Sequence, residues 1–139
     1  MKIKIKDIMS TNVEYIAPTA STKEAAHMMH ELHIGVLPVI DDNKLVGMIT
    51  DRDICCKVIA TGRGAGWTKV EEVMTKNVTT CFDDQDVTVA SNLMISNHVR
   101  RLAVVDHSET MVGLLSVDDL ARSSHDLACC VLEASTQQH

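Results

Sequence analysis

The chain carries one motif string twice. His33–Asp41 reads HIGVLPVID and His98–Asp106 reads HVRRLAVVD. Each string runs through a short polar turn into a second apolar run that ends in acids. These runs are Gly47–Asp53 (GMITDRD) and Gly113–Asp119 (GLLSVDD), and the second copy has one extra residue in its turn. Asp7–Ser10 (DIMS) and Glu72–Thr75 (EVMT) open the two copies. A repeat this short has trouble burying its apolar face alone, so two copies predict two interlocked halves of one body. A paired body has a cleft between its halves, and clefts are where small ligands bind.

Each copy reads as strand–helix–strand–strand–helix. In the first, Val13–Ile16 alternates as a brief strand stopped by Pro18. Ser21 and Glu24 form a capping-box pattern. Ala25, Met28, Met29 and Leu32 follow at helical spacing, and Gly35 is read as the helix stop. Val36–Ile40 and Leu45–Thr50 are strands around a turn at Asp41–Asn43. Both are nearly continuously apolar, which predicts burial of both faces. Asp51 starts a helix through Ile54, Val58 and Ile59 that stops at Gly62.

In the second copy, Val70–Met74 is a lead-in and Val78–Cys81 a short strand. Val87–Asn97 is a helix with Val87, Ala90, Leu93 and Met94 on one face. Leu102–Val105 and Met111–Ser116 form a hairpin, and Val117–Ala121 begins a closing helix. Ile3–Met9 is a further lead-in of one helical turn, Thr61–Thr68 (TGRGAGWT) a linker, and Gln137–His139 a frayed tail. The division is therefore 5–61, a linker at 62–69, 70–122, and a C-terminal helix and tail at 123–139. The fold class is α/β in the α+β sense: two pseudo-symmetric β-α-β-β-α units.

Composition narrows the function. Aromatic residues make up 2% of the 139 residues, so the core is built from Val, Ile, Leu, Met and Ala. A net charge of −6 argues against nucleic acid, because duplex binding needs a basic stripe. A small anionic ligand needs only a local positive pocket. Five cysteines, odd in number and without a CxxC, predict reduced thiols in a cytoplasm rather than disulfides or a zinc ribbon. No secretory signal is expected from the opening residues, and no apolar run approaches the ~18 residues of a membrane span.

Three features bear on chemistry. Thr50 and Asp53 sit where a strand runs into a helix, and Ser116 and Asp119 repeat the arrangement. A helix start attracts anions, a hydroxyl adds a donor, and a carboxylate accepts hydrogen bonds from a ribose diol. The same residues also fit plain N-caps. Arg100 and Arg101 stand where the first copy has Gly35 and Val36. They fit either a phosphate clamp or a solvated strand end paired with acids such as Asp106. His27, His30 and His33 read as a solvated helix face rather than metal ligands. No nucleophile–base pair is recoverable, and GxSxG, HExxH and P-loop patterns are absent from the sequence, so no catalytic residue is assigned.

These residues carry a family likeness. DIMS and EVMT, GVLPVID and RRLAVVD, and GMITDRD and GLLSVDD together resemble a tandem cystathionine-β-synthase (CBS) domain pair, or Bateman module, over about residues 5–121. TDRDICCKVIATG further resembles small stand-alone bacterial CBS proteins of the hypoxic-response type. The resemblance implies two units packed through their sheets, with clefts for AMP, ADP, ATP, NAD-type dinucleotides or S-adenosylmethionine. It implies that Thr50 and Asp53, then Ser116 and Asp119, hold ribose and phosphate. It puts Arg100 and Arg101 on the cleft of Thr50 and Asp53, and Gly35 and Val36 on that of Ser116 and Asp119. Val13, Tyr15 and Ile16, and Val78 to Cys81, are implied to line adenine pockets.

The second copy departs from the first at Ala103 for Pro38, and at Asp118 for Arg52, a further candidate contact. The two clefts are therefore expected to be unequal, the one near Arg100 and Arg101 binding phosphate better. The resemblance also implies a homodimer and a separate protein target. The competing expectations are an interaction protein with empty clefts, and a metal or redox sensor.

Overall fold

The computed structural model describes residues Ile3–Thr136; the tail expected at Gln137–His139 lies outside the described residues. The chain divides into two compact units. Glu14–Val78 forms the N-terminal unit, and the residues up to Val13 join those from Thr79 onward in the C-terminal unit.

The N-terminal unit contains α1 (Thr22–Leu32), β1 (Val36–Asp41), β2 (Lys44–Thr50), α2 (Asp51–Ile54) and α3 (Val70–Val73). Beyond Ile54 the helix widens into a π-helical turn, Cys55–Ile59, marked by the Ala60 N–H donating to the Cys55 carbonyl at 2.9 Å. β1 and β2 pair antiparallel, from Val36 opposite Thr50 to Asp41 opposite Lys44. Their connection is tight because Asp42 and Asn43 both adopt positive φ, 52° and 64°, which matches the twist of a two-residue hairpin.

Ser21 caps α1 as its sequence predicts, its Oγ accepting the Glu24 N–H at 3.1 Å. The helix ends at His33 rather than Gly35. His33 takes the left-handed conformation (φ 55°), so that its N–H and that of Ile34 reach back to the last turn. The expected strand at Val13–Ile16 is reduced to a single parallel bridge. The Ile16 N–H donates to the Pro38 carbonyl and the Ile16 carbonyl accepts the Ile40 N–H, each at 3.0 Å. Pro18, two residues on, has no N–H with which to continue a ladder.

The glycine-rich stretch is more than a tether. The carbonyls of Thr68 and Ala65 accept the N–H groups of Thr22 and Lys23 at 2.8 and 3.0 Å, satisfying first-turn donors of α1. Leu37, Val39 and Ile49 of the hairpin pack with Ala25 and Met29 of α1, Ile54 and Val58 of the second helix, and Val70 and Val73 of α3. Leu37, Pro38 and Val39 are buried in succession, so both faces of β1 are covered.

The C-terminal unit contains a 3-10 turn at Ile5–Asp7, then β3 (Thr80–Phe82), α4 (Val87–Asn97), β4 (Arg101–Val105), β5 (Met111–Ser116), α5 (Val117–Ser123) and α6 (His125–Thr136). Its sheet order is β3-β4-β5, with β3 parallel and β5 antiparallel to β4. Leu102, Val104 and Leu115 meet Val87, Ala90 and Met94 of α4, Leu120 of α5 and Ala128 and Val131 of α6. Ile5 is fully buried in the same core.

The lead-ins are exchanged. Ser10, at the head of the first sequence copy, bridges Leu114 of the second through hydrogen bonds of 2.9 and 3.0 Å. Thr75, at the head of the second copy, bridges Met48 of the first at 2.8 and 2.9 Å. Gly113 and Gly47 permit this approach. A Cβ on either would stand 2.7 Å from the Ser10 carbonyl or 2.8 Å from the Thr75 carbonyl. Among the described residues no helix is long and apolar enough to cross a membrane.

Candidate ligand site

The two strand-to-helix junctions are built alike. At the first, Thr50 Oγ1 accepts the Asp53 N–H at 3.1 Å and Asp53 Oδ2 accepts the Thr50 N–H at 3.0 Å. At the second, Ser116 Oγ accepts the Asp119 N–H at 3.2 Å and Asp119 Oδ2 accepts the Ser116 N–H at 2.9 Å. This is reciprocal capping. The other carboxylate oxygen is also engaged: Asp53 Oδ1 lies 3.1 Å from Lys57 Nζ, and Asp119 Oδ1 pairs with the Arg122 guanidinium. Lys57 and Arg122 are absent from the sequence expectation, although acid-to-base spacing of one helical turn is a readable signal.

The capping role is therefore present in full, but it leaves capacity over. Each hydroxyl accepts one N–H and keeps its own proton to donate. Each carboxylate oxygen has a second lone pair. Asp53 and Asp119 are buried, whereas Thr50 and Ser116 are half-buried at the surface of their units.

The expectation that the helix start itself cradles an anion needs correction at the first junction. The Asp51 N–H donates to the Gly35 carbonyl at 3.0 Å, the Arg52 N–H to Asp51 Oδ1 at 2.8 Å, and the Asp53 N–H to Thr50. These three donors are used within the unit. The donors left over there are side chains, the Thr50 hydroxyl and the exposed Arg52.

Within each unit, the strand entry lies beside that unit's own junction. Val36 stands opposite Thr50, and Gly35 bonds Asp51. Arg101 stands opposite Ser116, and the Arg100 carbonyl accepts the Val117 N–H at 2.9 Å. Gly35 and Val36 thus lie beside Thr50 and Asp53, and Arg100 and Arg101 beside Ser116 and Asp119. A hairpin turns the chain straight back, so the end of its second strand returns to the start of its first. Directly opposed residues of an antiparallel pair project from the same face, which puts the side chains of Arg101 and Ser116 together.

Both arginines are exposed, and among the described residues neither guanidinium makes an ion pair. Asp106 is not their partner. It lies past the far end of β4, where its Oδ1 accepts the N–H groups of Ser108 and Thr110 at 2.9 and 3.1 Å.

The expected adenine walls are distributed over both units. Tyr15 is exposed and Ile16 is buried in the N-terminal core. Val13 belongs to the C-terminal unit and Val78 ends the N-terminal one, both half-buried. Cys81 is corrected from pocket lining to core. It pairs with Val104 in the parallel ladder, its side chain is buried, and burial pushes its thiol up to about 11.

The histidines of α1 are exposed, His27 lying 3.9 Å from Glu31. Among the described residues no three His, Cys, Asp or Glu side chains group to hold a metal. One thiol–imidazole contact escaped the sequence reading: Cys129 Sγ lies 3.3 Å from His125 Nε2, one turn apart on the surface of α6.

Comparison with known proteins gives this geometry its context. The family model for the CBS domain matches residues 5–59 and 70–126. The CBS domain-containing protein YhcV of Bacillus subtilis is 38% identical over 117 residues, 84% of this chain and 82% of that protein. The CBS domain pair of protein MJ0100, solved in complex with 5′-methylthioadenosine and S-adenosyl-L-methionine, superposes with a TM-score of 0.79 at 31% identity, covering 91% of this chain and 98% of that one. CBSX2 in complex with AMP gives 0.75 at 28% identity, covering 89% and 97%. Two matches to one family model, in step with two identically wired junctions, lead to one conclusion: the chain belongs to the CBS-domain family.

Proposed function

We propose that the chain is a non-catalytic regulatory module whose two strand-to-helix junctions bind adenine nucleotides or nucleosides. The observation that carries this reading is the duplicated hydroxyl–carboxylate pair. Thr50 and Ser116 each retain a donor for a ribose or phosphate oxygen. Asp53 and Asp119 retain lone pairs for the two hydroxyls of a ribose. Arg52, Arg100 and Arg101 add charge-assisted donors. In this proposal Tyr15, Ile16, Gly35, Val36 and Val78 in the N-terminal unit and Val13 in the C-terminal unit are the candidate base contacts of their own units, and Cys81 contributes backbone only.

The ligands of CBSX2 and of the MJ0100 pair support the chemical class: AMP in one, 5′-methylthioadenosine and S-adenosylmethionine in the other. ADP, ATP and NAD share the adenosine that the junctions would read. Ligand would favour one conformation over another and so shift a population. The output would pass through a homodimer to a separate protein target. The exposed side chains of Ile59 and Leu132 suit such contacts.

A thermal-shift panel tests the proposal, with AMP, ADP, ATP, NAD, S-adenosylmethionine and 5′-methylthioadenosine set against GMP. A ligand present at a hundred times its dissociation constant adds about 2.7 kcal/mol. A shift with at least one adenine compound and none with GMP is the expected result. A flat panel overturns the reading.

A further inference from the structure

The two junctions share their wiring but not their charge. Beside the Ser116 hydroxyl, on the same face of the sheet, stands Arg101, with Arg100 next to it on the strand entry. Neither guanidinium is ion-paired among the described residues. Beside the Thr50 hydroxyl the equivalent residue is Val36, which offers an anion nothing.

The adjoining position sharpens the contrast. The carboxylate of Asp51 lies directly on the α-carbon of Gly35. Its Oδ1 is held by the Arg52 N–H at 2.8 Å, and its Oδ2 would be 2.8 Å from a Cβ placed on Gly35. In the other unit these two positions are Arg100 and Val117, joined by the same backbone hydrogen bond. One strand entry therefore presents guanidinium groups where the other presents a carboxylate. Arg52 and Asp118 are the remaining charges of the two first turns. Each sits one residue further along its helix, about 100° round the axis from Asp51 or Val117.

We infer that the junctions sort adenine ligands by charge. The Ser116–Asp119 junction takes a phosphorylated nucleotide, with Arg101 and Arg100 on the phosphate. The Thr50–Asp53 junction takes an adenosine whose 5′ substituent is uncharged or cationic, with Asp51 as the residue that turns phosphate away. This deepens the proposed adenine-ligand function and rests on it.

Calorimetric titration of the full chain with AMP and with 5′-methylthioadenosine tests it. These ligands share the adenosine and differ in having a phosphate or a neutral thioether. AMP is expected to bind once per chain, and Arg101→Ala to weaken it at least tenfold. Asp51→Asn keeps the acceptor for the Arg52 N–H and removes only the charge, so it is expected to raise the AMP stoichiometry from one to two. Two equivalent AMP sites in the unmodified chain overturn the inference and leave the adenine reading standing. So does an Arg101→Ala chain that binds AMP as before. Absence of binding by both ligands overturns the inference, and the thermal-shift panel then decides the adenine reading.

Discussion

At Thr50 and Ser116 the side chain proposed to meet a ligand is also the one that starts a helix. Removing it should therefore register in stability before any ligand is added. Thr50→Ala and Ser116→Ala are each expected to cost about 1 kcal/mol, the usual loss for an N-cap, in urea unfolding without ligand. No change in either would mean that the capping bonds are not formed in solution. A second residue-scale prediction concerns His107, whose Nε2 lies 2.7 Å from Asp84 Oδ2 and whose ring stacks on Phe82 with centroids 4.5 Å apart. The hydrogen bond that His107 donates to Asp84 holds His107 above its ordinary value and, reciprocally, holds Asp84 below its own. A raised histidine contributes stability that is whole below its unfolded value, about 6.5, and is lost as pH rises through the folded value. A depressed aspartate contributes above about 3.9 and loses its part as pH falls through its folded value. The pair therefore supports the C-terminal unit most between roughly pH 4 and 6.5. His107→Gln should lower the melting temperature more at pH 5.5 than at pH 9; a gap independent of pH would contradict this. The spacing of Ser21 and Glu24, and of Thr50 and Asp53, made these caps legible, because capping is local. The left-handed turn at His33 and the burial of Cys81 were not, because the first depends on where the chain must go next and the second on which face of β3 meets the core.

The exchanged lead-ins operate at the scale of elements. Ile5 heads the first sequence copy yet is fully buried with Leu102, Val104 and Leu115 of the second. Ile5→Ala is expected to cost about 2–5 kcal/mol, as large-to-small core changes do. Hydrogen exchange should show the loss in α4 and β4 of the C-terminal unit rather than in β1 and β2. Faster exchange confined to β1 and β2 would contradict the exchange. Apolar spacing made the helices at Thr22–Leu32 and Val87–Asn97 and both hairpins readable, since period and turn chemistry reside in the sequence itself. It did not reveal the partner of a lead-in, because a short apolar segment fits any complementary groove. Gly47 and Gly113 were the available signal. Each marks where another backbone comes within 3 Å of a would-be Cβ, and each lies in a strand where glycine otherwise weakens packing.

For the molecule as a whole, duplication was the most legible property, and it remains the most useful. Two copies of one junction act as internal controls for each other: the shared features, Thr or Ser with Asp three residues on, report what the scaffold requires. The unshared ones, Asp51 against Val117 and Val36 against Arg101, are the residues proposed to distinguish two ligands. A chain with net charge −6 carries exposed, unpaired guanidinium groups at Arg100 and Arg101 among the described residues, and their place beside one junction was legible only once the hairpin register was known. These junctions are the proposed seats of an adenine ligand. An amide chemical-shift titration of the labelled full chain with AMP tests this placement most directly. The largest perturbations are expected on Arg100, Arg101 and Ser116–Asp119. Perturbations confined to α1 and α6, or none at millimolar AMP, would contradict it.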